Sequence, residues 1–337
     1  VSNKYIIDIT RDSKRTVTGA NVINMKINLN KFNLNGWVPD EPDSRDYQWS
    51  NYFGATALPS EVLPESFSWI EKCPPLPTQD KINSCVCNSF AFLQAFNSKK
   101  ERNFDDLLSW SFIWANIPKT EVGSTFRDNA KCVQDLGICE EILYSKEIGI
   151  KDNFNKEKIE PVAIENAKVY KIKNYSYVNL VDLKRAIIRQ PVIIAVPGRN
   201  LEWSNPSSPI KFCGWDRVEW NHAIVLIGWD KDGNWIVANW WGKNWYNKGY
   251  GLIKSDYPLL SMLAVEDIPD NNLNVMKFIK RKDNPSVYLI NDNIAYPINS
   301  STDYFALEKD WGGVQELSDE EFSKYTISEK KLYVFLR

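Results

Sequence analysis

Trp220-Asn221-His222-Ala223-Ile224-Val225-Leu226-Ile227-Gly228-Trp229 is the stretch on which the fold turns. From Ala223 to Trp229 it reads as a strand. The turn Asp230-Lys231-Asp232-Gly233 follows, and Trp235-Ile236-Val237-Ala238-Asn239-Trp240 returns as a second strand. His222 is the one histidine in 337 residues, so any general-base chemistry by an imidazole must be performed there. Far upstream, Ser84-Cys85-Val86-Cys87-Asn88-Ser89-Phe90 opens a helix. Val86, Phe90, Leu93 and Phe96 recur at helical spacing behind a polar start.

Working outward, helical patterns cover 105–117, 127–136 (stopped by Gly137) and 180–189. Strands are expected over 168–177 and 192–196. Helices first and strands later imply an α+β domain with a helical half and a sheet half. Alternation in residues 5–33 has strand character, and 36–47, rich in proline and turn formers, reads as a loop or linker. After about Asp267 the chain changes character. Asn291-Asp292-Asn293 sits between two apolar runs as a hairpin turn, and Ser300 and Ser318 each precede a short helical pattern. Three units are therefore expected: an extension over 1–62, a main domain over 63–267 and a small strand–helix module over 268–337.

A hydrophobic content of 43% with 25% charged residues suits a globular core. The net charge of −2 implies neither nucleic acid nor an anionic membrane as partner. No apolar run approaches the roughly 20 residues of a membrane-spanning helix. The start at Val1 has no signal-peptide character, and the missing Met implies that a tag or leader was trimmed. Six cysteines, one of them wanted as a free thiol, favour a reducing compartment, with secretion left open. Eight of the fourteen tryptophans fall between Trp203 and Trp245; core packing is the first reading and a cleft lining the second.

A cysteine followed some 130–150 residues later by a histidine and an asparagine is the order of a thiol hydrolase. A helix N-terminus and a neighbouring imidazolium both lower a thiol's pKa. Cys85 stands where the helix should begin, so it is the nucleophile of choice. His222 serves as base and then acid, and Asn239 fixes the ring's tautomer. The Cys85 backbone N–H and the Gln79 carboxamide are the candidate oxyanion donors. Cys87 lies about 200° around the helix and Ser89 a full turn inside it; both remain rival nucleophiles. A zinc site built on Cys85 and Cys87 would need Cys132 and Cys139 as well, and those two read as buried small hydrophobes. No metal or cofactor is expected.

These residues resemble the papain-like cysteine peptidases of the C1 family. Gln79 through Cys85 is similar to their Gln-x5-Cys segment, and Asn239-Trp240-Trp241-Gly242 to their Asn-Ser-Trp-Gly. Two further stretches look like the bacterial-type branch. One is Gly36-Trp37-Val38-Pro39-Asp40-Glu41-Pro42-Asp43-Ser44-Arg45-Asp46-Tyr47; the other runs from Arg127-Asp128-Asn129-Ala130-Lys131 to Gly137-Ile138-Cys139.

The resemblance, spanning about 36–265, implies a two-lobe fold with a helical lobe and a β-barrel-like sheet lobe. It assigns Cys85, His222, Asn239 and Gln79 their catalytic roles, with Trp241 shielding the His–Asn bond. Gly123 and Ser124 become the backbone that pairs with an extended substrate, and Ala223 a wall of the pocket for the second residue before the scissile bond. The extension becomes a pro-segment, an inhibitor held in its own cleft, or else a permanent strap.

Departures from the family pattern are the crowded Asp80-Lys81-Ile82-Asn83 and the bulky Trp220 and Trp240, expected to narrow the leaving-group side. The expected activity is peptide or protein cleavage through an acyl-thioester. A single-substrate processing protease, a thiol amidase or transpeptidase, and an inactive peptide- or glycan-binding protein are the alternatives.

Overall fold

The computed structural model describes residues 36–44, 46–50, 63–79, 81–102, 105–119, 122–204, 209–267, 277–291, 294–298 and 314–328. The strands expected within 5–33 and the helix after Ser300 lie outside these residues.

In chain order, β1 (Gly36–Trp37) and β2 (Phe67–Ser68) precede α1 (Cys85–Arg102) and α2 (Trp110–Asn116). Then come β3 (Gly123–Ser124), α3 (Phe126–Asp135), α4 (Lys146–Lys151) and α5 (Pro161–Ala167). Every residue from Ser84 to Ser98 is buried, so α1 is covered around its whole circumference, and polar side chains such as Asn88, Ser89 and Gln94 are held by hydrogen bonds. Side-chain caps set the neighbouring helix starts. Ser109 accepts from the Phe112 N–H, which is why α2 begins at Trp110 rather than near 105. Thr125 accepts from the Asp128 N–H at the head of α3. Each such cap stabilises its helix by about 1 kcal/mol.

The second half holds β4 (Ile172–Tyr177), α6 (Leu183–Arg189), β5 (Val192–Gly198), α7 (Asn200–Ser204), β6 (Trp220–Trp229), β7 (Trp235–Ala238), β8 (Tyr250–Ile253) and β9 (Ser261–Asp267). Lys168–Tyr170, expected as strand, forms a 3-10 turn ahead of β4. The strands pair antiparallel in the order β4-β9-β5-β6-β7-β8, with β2 added to β6.

Strand β6 is buried along its whole length, which is why its sequence reads as a nearly continuous apolar run. Its two faces serve two cores. Ala223, Val225 and Ile227 share a cluster with Val86, Phe90 and Phe96 of α1. Trp220, Ile224 and Leu226 belong to the cluster inside the sheet lobe with Trp203, Trp229 and Trp245. The molecule is thus a helical lobe and a sheet lobe meeting along α1 and β6, the α+β arrangement expected.

Beyond β9, β10 (Lys277–Arg281), β11 (Val287–Asn291), β12 (Ile294–Pro297), β13 (Val314–Leu317), α8 (Asp319–Phe322) and β14 (Thr326–Ile327) form a smaller sheet. Its strand order is β13-β10-β11-β12-β14. The hairpin at 291–294 and the Ser318 capping box are both present. This sheet shares a core with the helical lobe: Phe278, Leu289 and Tyr296 pack in one cluster with Phe112, Tyr144 and Val162.

Candidate active site

Cys85 is the first residue of α1 and is fully buried against β6. Its Sγ accepts a hydrogen bond from the Ala223 N–H at 3.3 Å, one residue past His222. The N–H groups of Val86 and of Cys85 itself also favour the thiolate, as a helix N-terminus should. Burial outweighs them and pushes the thiol up to about 12. The rival nucleophiles point elsewhere. Cys87 donates its S–H to Asn129 Oδ1 at 3.0 Å, and Ser89 donates its hydroxyl to the Cys85 carbonyl within the helix.

His222 projects from the opposite face of β6. Its Nε2 lies 2.7 Å from Asn239 Oδ1, just past the end of β7. The same oxygen accepts from the Trp240 backbone N–H at 2.8 Å, which identifies it as oxygen rather than nitrogen. A carbonyl oxygen cannot donate, so Nε2 must carry the ring proton and Nδ1 the lone pair. That tautomer is the one a base needs.

Trp241 stacks on the imidazole at 5.0 Å and 29°, while Trp220 and Trp203 meet it edge-on at 6.0 and 6.4 Å. Burial inside this aromatic cage lowers the imidazole to about 4, against the bond to Asn239, which raises it.

Gln79 is buried beside these groups and held by its backbone N–H to the Trp240 carbonyl at 3.0 Å. Its Nε2 gives one hydrogen to the Ile82 carbonyl at 3.0 Å, which leaves the second available to a developing oxyanion. Trp240 does not narrow the cleft. Its ring is fully buried against Phe92, and its Nε1 donates to the Ala223 carbonyl and to Ser89 Oγ. The bulk expected there is real, but the ring points into the core rather than into the cleft. The tryptophan-rich region is core first, with Trp241, half-buried, the ring that stacks on His222.

Gly123 and Ser124 are already paired. Strand β1 runs parallel to β3, with Gly36 opposite Gly123 and Trp37 opposite Ser124. The Gly36 N–H donates to the Val122 carbonyl and the Val38 N–H to the Ser124 carbonyl. The approach is so close that a Cβ on Gly123 would lie 2.0 Å from the Gly36 oxygen, and one on Gly36 would lie 2.8 Å from Cys85 Sγ. Both glycines also take positive φ, +111° and +134°.

Gly36 thus lies against the thiol, and the described residues after it run on over the helical lobe. Trp37 is buried with its ring 5.6 Å from Phe126. Further on, Asp40 accepts from the Arg127 N–H, and Asp46 takes a two-point ion pair from the Arg127 guanidinium, at 2.6 Å to Nη2. The linker-like composition of 36–47 concealed this placement, although its resemblance to a bacterial-type motif marked the segment out.

All six cysteines are free, and no described helix is long and apolar enough to cross a membrane. A thiol at the N-terminus of the central helix and an imidazole held by a carboxamide thus meet at strand β6, the groups that a thiol hydrolase would use.

Residues 123–265 match the family described as Papain family cysteine protease. Macrodontain-1 of Ananas macrodontes is 36% identical over 90 residues, which is 25% of this chain and 41% of that protein. Zingipain-2 of Zingiber officinale is 37% identical over 92 residues, with the same shares. The chain therefore spans less than half the length of these relatives.

Among solved structures, the fold is similar to Xylellain, a cysteine protease from Xylella fastidiosa. The TM-score is 0.58 at 22% identity, over 69% of this chain and 96% of that one. It is also similar to proCathepsin B S9 from Trypanosoma congolense, with a TM-score of 0.56 at 15% identity over 75% and 92%. Residues 123–265 are thus similar to the papain-like cysteine proteases, and the fold is similar to the two-lobe structures of these proteases.

Proposed function

We propose that this protein is a cysteine endopeptidase held latent by its own residues 36–50, with Cys85, His222, Asn239 and Gln79 as its machinery. The observation that carries the proposal is β1 lying on the substrate-side strand β3, with Gly36 against the Cys85 sulfur. A chain bound to a strand edge by main-chain hydrogen bonds is how an extended peptide docks, and here the enzyme's own chain occupies the edge.

Under this cover the site is at rest. With the thiol pushed up to about 12 and the imidazole down to about 4, both groups are neutral at pH 7. Release of the cover readmits water, which removes the main cause of both shifts, and the helix-terminal N–H groups then favour the thiolate. The Cys85 thiol passes its proton to His222 Nδ1 and the sulfur attacks a substrate carbonyl, while the oxyanion takes hydrogen bonds from the Cys85 N–H and the free Gln79 N–H. As the C–N bond breaks, His222 gives that Nδ1 proton to the leaving amine, and the freed Nδ1 then deprotonates the water that hydrolyses the thioester. Asn239 keeps Nδ1 turned toward the reaction throughout.

Casein incubated with the intact protein and with a Gly36→Ala variant, and analysed by mass spectrometry, tests the proposal. The expected result is fragments that appear faster with the variant and vanish when Cys85→Ala is added. Gly36→Ala protein that cuts no peptide bond, yet binds peptides with Cys85 unreacted, would turn the reading to a binding protein.

A further inference from the structure

Asn221 is a buried polar side chain with nothing to bond to. It is 1% exposed, and neither Oδ1 nor Nδ2 has a partner. Its position explains why it faces the cleft. In β6 it pairs with Pro197 of β5, whose carbonyl turns away to accept from the Tyr257 hydroxyl and which has no N–H to offer. Two residues on, Ala223 pairs with Ala195, whose carbonyl accepts from the Leu260 N–H on the far side. The peptide groups of Asn221 and Ala223 therefore point the other way, toward α1 and β1. The Ala223 N–H meets the Cys85 sulfur, and the Asn221 carbonyl oxygen would be 3.1 Å from a Cβ on Gly36. The Asn221 side chain shares the face of Ala223 and Val225, which pack toward α1, whereas Trp220 and Ile224 face the other core.

A fully unmet carboxamide buried on the strand face that packs toward α1 destabilises the closed form and makes no bond that orients its own strand. We propose that Asn221 is a substrate-positioning residue, its Nδ2 donating to a carbonyl and its Oδ1 accepting from an N–H of the substrate's peptide groups beside the scissile bond. The ligand class is thus the extended peptide main chain rather than a particular side chain. This assignment rests on the peptidase reading above. Here β1 occupies that space with Gly36, whose N–H is committed to Val122, so the cover leaves Asn221 unsatisfied where a substrate would not.

The opposing signs of two measurements test the assignment. Asn221→Leu keeps the volume and removes both polar heads. In the intact protein it should raise Tm by about 2 °C, because an unmet polar group is replaced by an apolar one. In Gly36→Ala protein carrying the same change, kcat/KM for a peptide substrate should fall about tenfold, the effect of one or two lost hydrogen bonds. Asn221→Asp keeps one acceptor and should recover part of that loss. Its carboxylate should also move the acid limb of the pH profile, which a packing role would not do.

A fall in Tm together with turnover would assign Asn221 a structural role and overturn the proposal, as would unchanged kcat/KM in Asn221→Leu. Gly36→Ala protein with Asn221 intact and no Cys85-dependent turnover would instead sink the peptidase reading itself, and this assignment with it.

Discussion

Gly36 stands over Cys85 so closely that one added methyl group would come within 2.8 Å of the sulfur. That contact joins the N-terminal segment to the nucleophile. Gly36→Ala should push β1 off the thiol, since the added carbon also meets a backbone at φ +111° that side chains rarely adopt. Strain of about 1–3 kcal/mol corresponds to roughly a 5- to 160-fold rise in the open population. The rate of Cys85 alkylation by iodoacetamide at pH 7 measures it directly, and an unchanged rate would contradict the latch.

Arg127 anchors the downstream end of the cover. Its guanidinium pairs with Asp46, at side-chain exposures of 15% and 17%, and its backbone N–H bonds Asp40. Arg127→Met keeps the stem and strands the Asp46 carboxylate, at a cost of about 1–3 kcal/mol to the closed state. Hydrogen exchange over 36–50 should quicken while α1 and β6 stay protected. Uniform loss of protection across both lobes would mean that Arg127 supports the fold and not the cover.

The pH dependence follows from two opposite shifts. Burial holds His222 near 4 in the closed form, against an ordinary 6.5, so the open form takes up the proton first and closure weakens as pH falls from about 6.5 to 4. Burial holds Cys85 near 12 against an ordinary 9.0, so closure also weakens as pH rises above about 9. The closed form should therefore be most stable between roughly 6.5 and 9. Asp40, raised by burial, works the other way in acid, where its protonation favours closure. Limited proteolysis within 36–50 across pH 4–8 should quicken toward acid. A flat or inverted profile would show that Asp40 outweighs His222.

Asn239→Ala removes the acceptor that fixes the His222 tautomer and also frees the Trp240 N–H. In a Gly36→Ala background, kcat should fall by about 10- to 100-fold with KM little changed, since the loss concerns orientation of the base. A rise in KM alone would place Asn239 in substrate binding instead.

Much of this was legible because chemistry and periodicity coincide. Cys85 at a helix start, a lone His222 on an apolar strand and Asn239 at the end of the next strand follow from residue order and pattern. The features that escaped notice leave no periodic trace. A two-residue parallel pairing such as 36–37 with 123–124 looks like loop, because two prolines and several acidic residues surround it. Trp240 and Trp241 are adjacent and chemically alike, yet β7 has ended at Ala238, so strand alternation no longer says which ring faces α1 and which covers His222. Asn221 reads as an ordinary polar interruption, because nothing in the sequence marks its carboxamide as buried without a partner.

The central claim is that one sulfur among six, covered by the protein's own chain, is the nucleophile. Peptide mapping by mass spectrometry after treatment with a peptidyl epoxide measures this most directly. The account predicts a single adduct, on Cys85, forming slowly in the intact protein, at least fivefold faster in Gly36→Ala, slowed again by about 10- to 100-fold when Asn239→Ala is added, and lost when His222 is substituted. Label on Cys87 or another thiol, or no label at Cys85 even after the cover is loosened, would contradict it.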